Sequence, residues 1–316
     1  MSESSASNTQ YFSRAWHMLT REKGWYKPVL VLAVCQLVPI AGPLVLLGYA
    51  LEWARLSAWG IESAPKQRRV NIGGCFATGW RGFVVALVWQ LAWMVALGVL
   101  GALLGFGGVV GATSASELVL SFLGLAYIGY GVFGLVLTIA SLFFDVVVVA
   151  AMVRTAVYTK ISAGLNPARV FEMVKRDASG LFKLVLIAIV SKVVIVGICH
   201  VVYLVVFALG LGNLVPFIVA LDGASSYAAG SAGIDALLRF AGVVVPVVVI
   251  AGFAATVVSV ATTLLETNAV GIWMSQFDVR SWGGPSDPLP VERAEQASQL
   301  PAPGEQGATS DGQNGW

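Results

Sequence analysis

Apolar and polar positions alternate along this chain in long blocks. Apolar stretches occupy residues 28–51, 82–111, 118–149, 184–221 and 240–265. A helix needs about 20 apolar residues to cross a bilayer core, and each stretch exceeds that. A backbone in lipid must satisfy its own hydrogen bonds, so a spanning stretch is a helix or part of a closed barrel. Continuous apolar runs of this length predict an all-α, polytopic membrane bundle.

The first stretch differs from the rest. Pro39, Gly42 and Pro43 interrupt it within Val38-Pro39-Ile40-Ala41-Gly42-Pro43. Each proline removes a backbone donor and clashes with the preceding turn. Glycine between them permits a reversal. Both flanks are basic, with Arg14, Arg21, Lys23 and Lys27 before it and Arg55, Lys66, Arg68, Arg69 and Arg81 after it. Basic flanks stay on the cytoplasmic side. A hairpin that dips into the membrane and returns satisfies both flanks, whereas one kinked span does not. The sequence therefore predicts four spanning helices and an N-terminal re-entrant hairpin over 28–51. The segment 154–183 is also basic, while 112–117 and 212–238 contain no lysine or arginine. That distribution places both termini in the cytoplasm. Pro246 is expected to kink the last span. Residues 213–221 either extend the helix from 184 or lie at the outer interface.

Two polar segments have helical periodicity. In 167–182, Asn166 is a good N-cap and Pro167 suits the first helical position. Phe171, Val174, Ala178 and Leu181 share one face, with Arg169, Glu172 and Arg176 on another. In 9–26, Phe12, Ala15, Trp16 and Leu19 oppose Arg14, His17 and Arg21. Such helices lie in the headgroup plane with basic residues toward anionic lipid. Residues 24–31 can also be laid over 180–187. That match reads either as an internal duplication or as the common form of a chain meeting a membrane.

Composition agrees with this picture. The 316 residues are 57% hydrophobic and 11% charged. Soluble domains run near 25% charged. Net charge is +2, which gives no reason to expect a nucleic-acid partner. Cys35, Cys75 and Cys199 are scattered, and His17 and His200 are the only histidines. No cofactor or metal motif is present, and no catalytic constellation. The first apolar stretch is too long for a signal-peptide core. Residues 1–8 and the Pro/Gly/Ser/Ala-rich tail 283–316 cannot bury enough surface to fold. The helical membrane domain is expected over 9–282.

Small residues predict one packing surface. Gly98, Gly101, Gly105 and Gly108 share a face of the second stretch, and Gly124, Gly131 and Gly134 a face of the third. Such stripes let membrane helices approach closely. The short connection between the stretches makes them antiparallel neighbours, so the two glycine faces are expected to meet.

Asp145 and Lys192 are charges inside spans. Asp145 lies nine residues before Arg154, and Lys192 nine after Lys183. At 1.5 Å per residue each sits about 13 Å from its basic marker, so the two share a depth. Ionisable groups there are usually paired or functional. An ion pair between them is one expectation. The other is that the helices overshoot the membrane, so that Lys192 snorkels and Asp145 touches water. His200, about two turns on, would be needed for a relay. Glu52 and Glu266 read as interfacial.

The Pro-x-x-Gly-Pro break at Pro39 to Pro43, the following Gly48-Tyr49 and the helix from Asn166 to Lys183 resemble a known pattern. It is that of the prokaryotic membrane proteins catalogued as domain of unknown function 4013. The resemblance covers about residues 10–275. The loop departs from it: Pro65-Lys66-Gln67-Arg68-Arg69 stands where the family has an acidic stretch. The resemblance implies a topology and no activity. The expected role is a non-enzymatic scaffold, assembly or accessory subunit. A transporter or channel component is the alternative, and a membrane enzyme the least favoured reading. Expected partners are the lipid bilayer, with anionic lipid at the basic face, and a membrane protein or second copy.

Overall fold

The computed structural model describes residues 11–67, 70–111, 118–222 and 226–277. The ends expected to be unfolded, 1–8 and 283–316, lie outside the described residues. Among the described residues there is no β-strand. The described residues form nine helices: α1 (Tyr11–Thr20), α2 (Tyr26–Cys35), α3 (Ala41–Ala58), α4 (Ile72–Gly111), α5 (Leu118–Tyr158), α6 (Ile161–Gly164), α7 (Pro167–Arg176), α8 (Ala178–Asp222) and α9 (Ser226–Met274). Four of these are long and apolar enough to cross a membrane, over Ile72–Ala102, Phe133–Tyr158, Ala178–Gly210 and Ala241–Met274. The chain has the architecture of a helical multi-pass membrane protein. Residues 213–221 continue α8 rather than leaving it. Pro246 sits inside α9.

The break in the first apolar stretch is a helix–turn–helix. Its turn is tied by Val38 N–H to the Cys35 carbonyl and Gly42 N–H to the Val38 carbonyl, both 3.0 Å. The Gln36 amide also donates to the Gly42 carbonyl at 3.1 Å. The strained residue is Ile40, at φ 66°, and not Gly42. Gly42 serves another purpose: a Cβ there would strike the Cys35 carbonyl oxygen. The missing side chain lets α3 start against the end of α2. The two ends of this unit meet. Arg14 pairs with Glu62 at 2.6 Å, and Arg21 donates to the Glu62 carbonyl at 3.1 Å. The loop after α3 is held down by Tyr49, whose hydroxyl donates to the Lys66 carbonyl at 2.7 Å. Trp53 does the same to the Ser63 carbonyl at 2.8 Å.

Packing is concentrated at one end of the bundle. There α3 is wedged between α4 and α9. A Cβ on Gly48 would strike the Cys75 carbonyl, one on Gly79 the Leu44 carbonyl, and one on Gly271 the Ala54 carbonyl. Backbones thus touch at three places. Ser57 donates to the buried Asn268 side chain at 2.5 Å. Trp273, Leu264 and Val260 fill the space around them. Arg154, expected at a polar membrane edge, is instead 3% exposed. Its Nε donates to the Ala163 carbonyl at 2.9 Å, and its guanidinium stacks over Tyr158 at 5.0 Å. The short α6 folds back over it, which is why this arginine does not reach solvent.

Three helix-level expectations change. The helix expected over 167–182 is two helices. Asn166 caps α7 as its residue type suggests, accepting from Arg169 N–H at 3.3 Å. However, α7 stops at Arg176, and Asp177 caps α8 by accepting from Gly180 N–H at 2.9 Å. Gly180 is therefore helical, while Gly24 lies in a turn at φ 87°. The two segments compared in sequence differ locally at their shared glycine. On α1 the inward face is Tyr11, Ala15, Met18 and Leu19, with Phe12 and Trp16 turned outward. The apolar face read from sequence was rotated, because both faces of this helix carry apolar residues.

The glycine seam is the third change. Gly98, Gly101 and Gly134 face open space, and an added Cβ would meet nothing. Gly105, Gly108, Gly124 and Gly131 lie where no side-chain surroundings are described. Contact between α4 and α5 is made lower down by large side chains. Trp93 stacks on Phe144 at 4.6 Å and donates to the Ser141 hydroxyl at 3.3 Å. These rings hold the helices a side chain apart, so the described glycines do not close on each other.

Candidate functional site

The packed end gives way to the open end at a polar cluster. Asp145 on α5 and Lys192 on α8 face each other, with Nζ 3.6 Å from Oδ2. The other Asp145 oxygen accepts from the Gln90 amide of α4 at 3.2 Å. Glu266 of α9 hydrogen-bonds Ser191 and lies within electrostatic reach of Lys192 and Asp145. Four helices thus each contribute a polar group to one place. These groups line a cavity of about 280 Å³ whose remaining wall is apolar, including Val146, Met152 and Leu184.

Each position has a simple local origin. Asp145 follows the Phe143-Phe144 pair, which packs against Phe182 of α8 and Trp93 of α4 and so brings this stretch of α5 up to both helices. Lys192 follows Ser191, which is buried, so residue 192 emerges at the edge. The Lys192 side chain is 52% exposed and that of Asp145 40%. An isolated charge at the bilayer centre costs about 2.5–3.5 kcal/mol. Pairing reduces that cost but leaves one side of both groups uncovered. With one ammonium and two carboxylates, the cluster can hold a polar or cationic group. Its one hydroxyl, that of Ser191, is buried and hydrogen-bonded to Glu266.

His200, the third member of the imagined relay, is exposed and packs beside Tyr203 at 6.2 Å. The structure does not bring it to the cluster. Gln90, Ser191 and Glu266 were missed in the sequence. Gln90 had a signal: it is the lone strongly polar residue of 82–111 and lies nine residues after Arg81. That is the spacing that singled out Asp145 and Lys192. Glu266 was assigned to a membrane edge because α9 was expected to end there, whereas α9 runs on to Met274.

Two further cavities border the hairpin. One, of about 450 Å³, lies under the loop after α3 and is lined by Tyr49, Glu52, Arg55, Lys66, Asn71 and Cys75. Glu52 is internally satisfied there, by Arg55 at 2.7 Å and the Thr78 hydroxyl at 2.6 Å. The other, of about 340 Å³, lies at the turn between Gln36, Thr256 and Ser259. Among the described residues, no three His, Cys, Asp or Glu side chains are placed to hold a metal.

Most of the hairpin, α7 and the cluster's Gln90, Asp145, Ser191 and Lys192 fall within one recognised unit. A family model described as protein of unknown function (DUF4013) matches residues 31–211. The chain belongs to that family. No curated protein and no solved structure matches it. The family segment includes α3 to α7, most of α8, and Gln90, Asp145 and Lys192. It excludes α1 and α9, so Glu266 is supplied from outside the matched segment.

Proposed function

We propose that this chain is a non-enzymatic membrane subunit, an accessory or assembly component of the cytoplasmic membrane. Its basic loops and termini face the cytoplasm, and residues 28–51 form a hairpin that enters and leaves on that side. The observation that carries the reading is the contrast in packing along the spans. The packed end is a self-sufficient core. Beyond the cluster, Val190, Val193, Val196 and Tyr203 of α8 are exposed, as are Val243, Val249 and Ile250 of α9. The half-covered Asp145–Lys192 pair sits at the foot of those faces. A partner helix lying there would cover both the apolar faces and the pair. Site-specific photo-crosslinking from Val193 and Val196 in cells tests this. The expected product is a protein adduct of one mass, lost when Asp145 and Lys192 are both replaced by alanine. The adducted protein should also fall in abundance when this chain is deleted. Lipid adducts alone would overturn the reading.

A transport component is the second reading, favoured by the cavity around Lys192. It requires water at that depth. Lys192→Cys, with the native cysteines replaced, should then react with a small water-borne thiol reagent in the intact membrane. Lack of reaction in the folded protein, with reaction after unfolding, removes the transport reading.

A further inference from the structure

We propose that the outward face of α1 and the turn that follows it form an anchor for an anionic lipid headgroup layer, and that this anchor sets the depth of the hairpin. The placement of α1 is unusual. Its inner face is already used against the bundle, so its outer face has no role in the fold. That outer face is nevertheless aromatic. Phe12 and Trp16 stack at 6.4 Å with planes 17° apart. Trp16 meets Trp25 at 6.0 Å, and Trp25 meets Tyr26 at 6.5 Å. Trp16 remains 44% exposed and Tyr26 51%. Ring-bearing side chains with a polar tip prefer the boundary between hydrocarbon and headgroups.

Charge and continuity identify the occupant as lipid. Arg21 and Lys23 lie in the turn beside the rings and Lys27 at the start of α2, all exposed, with Glu22 as the acid between them and Arg21 also donating to the Glu62 carbonyl. Basic side chains at this level attract anionic headgroups. Beyond Lys27 the exposed surface of α2 is apolar, through Leu30, Val31 and Val34 to Leu37 and Val38 at the turn. The order is aromatic and basic first, then aliphatic, as in a chain passing from headgroups into hydrocarbon. A soluble protein partner would not account for the aliphatic continuation.

The geometry then gives a depth. Helix α2 has ten residues, or about 15 Å. A bilayer core is about 30 Å thick. With the rings at one boundary, Leu37 and Ile40 stand near the midplane, so the hairpin is half a membrane long and must return on its own side. The polar Gln36 amide is satisfied there by the Gly42 carbonyl, as hydrocarbon depth demands.

The full chain, with its three cysteines replaced by alanine, is reconstituted in vesicles of phosphatidylcholine and phosphatidylglycerol. Nitroxides are attached at Ser13→Cys and, separately, at Leu37→Cys, and their depth is read from relaxation by oxygen and by a water-soluble nickel chelate. The Ser13 label is expected in the headgroup layer and the Leu37 label about 15 Å deeper. A Ser13 label in free water, or a Leu37 label open to nickel, overturns the proposal. The second arm compares quenching of tryptophan emission by spin-labelled phosphatidylglycerol and spin-labelled phosphatidylcholine. Several-fold stronger quenching by the anionic lipid is expected, falling to parity when Arg21, Lys23 and Lys27 are replaced by glutamine. Equal quenching in the parent protein would overturn the anionic preference. Neither arm depends on a partner subunit, so this anchor and the proposed function fail separately.

Discussion

The two ends of the bundle use glycine in opposite ways. At the packed end, Gly48, Gly79 and Gly271 each stand where a Cβ would strike a neighbouring backbone. At the open end, Gly98, Gly101, Gly134, Gly197 and Gly252 stand where it would meet nothing. Spacing along the sequence does not separate the two sets. What separates them is the company each keeps. The packed glycines adjoin buried hydrogen-bonding groups, such as Ser57 with Asn268 and Thr78 with Glu52. Lipid is as apolar as leucine, so apolar contact gives little preference for a helix over a lipid tail. Polar bonds and close backbone approach give that preference. The packed end has both, whereas the described glycines of the open end make no close backbone approach and the Trp93–Ser141 bond lies beside the cluster.

The largest effect should therefore come from the packed glycines. Gly48→Val or Gly79→Val must push two backbones apart, and overpacking at rigid atoms costs at the upper end of its range, about 3 kcal/mol or more. Folded protein measured by size-exclusion in mild detergent should fall to a small fraction. Gly98→Val and Gly101→Val should leave that yield within experimental scatter. If the two pairs behave alike, the contrast between the ends is wrong, and the open-end glycines are packed against something in the membrane.

A smaller effect is expected at the boundary between the ends. Asp145→Asn and Lys192→Gln each leave a charge without its partner. Both groups are partly exposed, so each loss should be nearer 1 kcal/mol than the several associated with fully buried pairs. The exchange Asp145→Lys with Lys192→Asp should recover much of it. A thermal unfolding midpoint for the exchange no better than either single change would mean that the two charges act separately. Because Gln90 and Glu266 also face the pair, recovery should be incomplete.

Much of the fold was legible in the sequence because membranes impose simple rules. Length and apolarity give four spans, and Asn166-Pro167 marks the start of α7. The candidate cluster was half legible. A fixed nine-residue offset from a basic marker selects Asp145 and Lys192, and would have selected Gln90. It could not select Glu266, whose helix runs past the point where hydropathy fades. Other features were hidden for physical reasons. Arg154 looks like a surface charge until α6 folds over it. Phe12 and Trp16 look like a core face, since periodicity cannot tell an aromatic side turned to lipid from one turned to protein. Of the glycine stripes, Gly98, Gly101 and Gly134 meet no neighbour, because small residues permit close approach without causing it.

The smallest and most specific test lies at Asp177, which the sequence did not single out. It joins three parts of the packed end. It caps α8 through Gly180 N–H, accepts from Trp273 Nε1 at 3.0 Å and Gln276 Nε2 at 2.7 Å of the α9 terminus, and is hydrogen-bonded to Tyr11 of α1. Burial pushes its carboxyl up, but the hydrogen bonds from Gln276, Gly180, Trp273 and Ser179 outweigh burial and hold it below the ordinary value of 3.8. A carboxyl depressed in the folded state contributes stability that is complete above its unfolded pKa. That contribution disappears as pH falls through the folded pKa. Asp177→Asn keeps an acceptor for the cap but loses the charge. Its unfolding midpoint should lie below that of the parent at pH 7, and the gap should close as pH falls below the ordinary carboxyl value of 3.8. Asp177→Ala also loses the cap, worth about 1 kcal/mol, and should stay below the parent at both extremes. An asparagine variant whose deficit is constant with pH would show that the carboxylate charge contributes nothing. The junction between α7, α8 and α9 would then rest on packing around Trp273 alone.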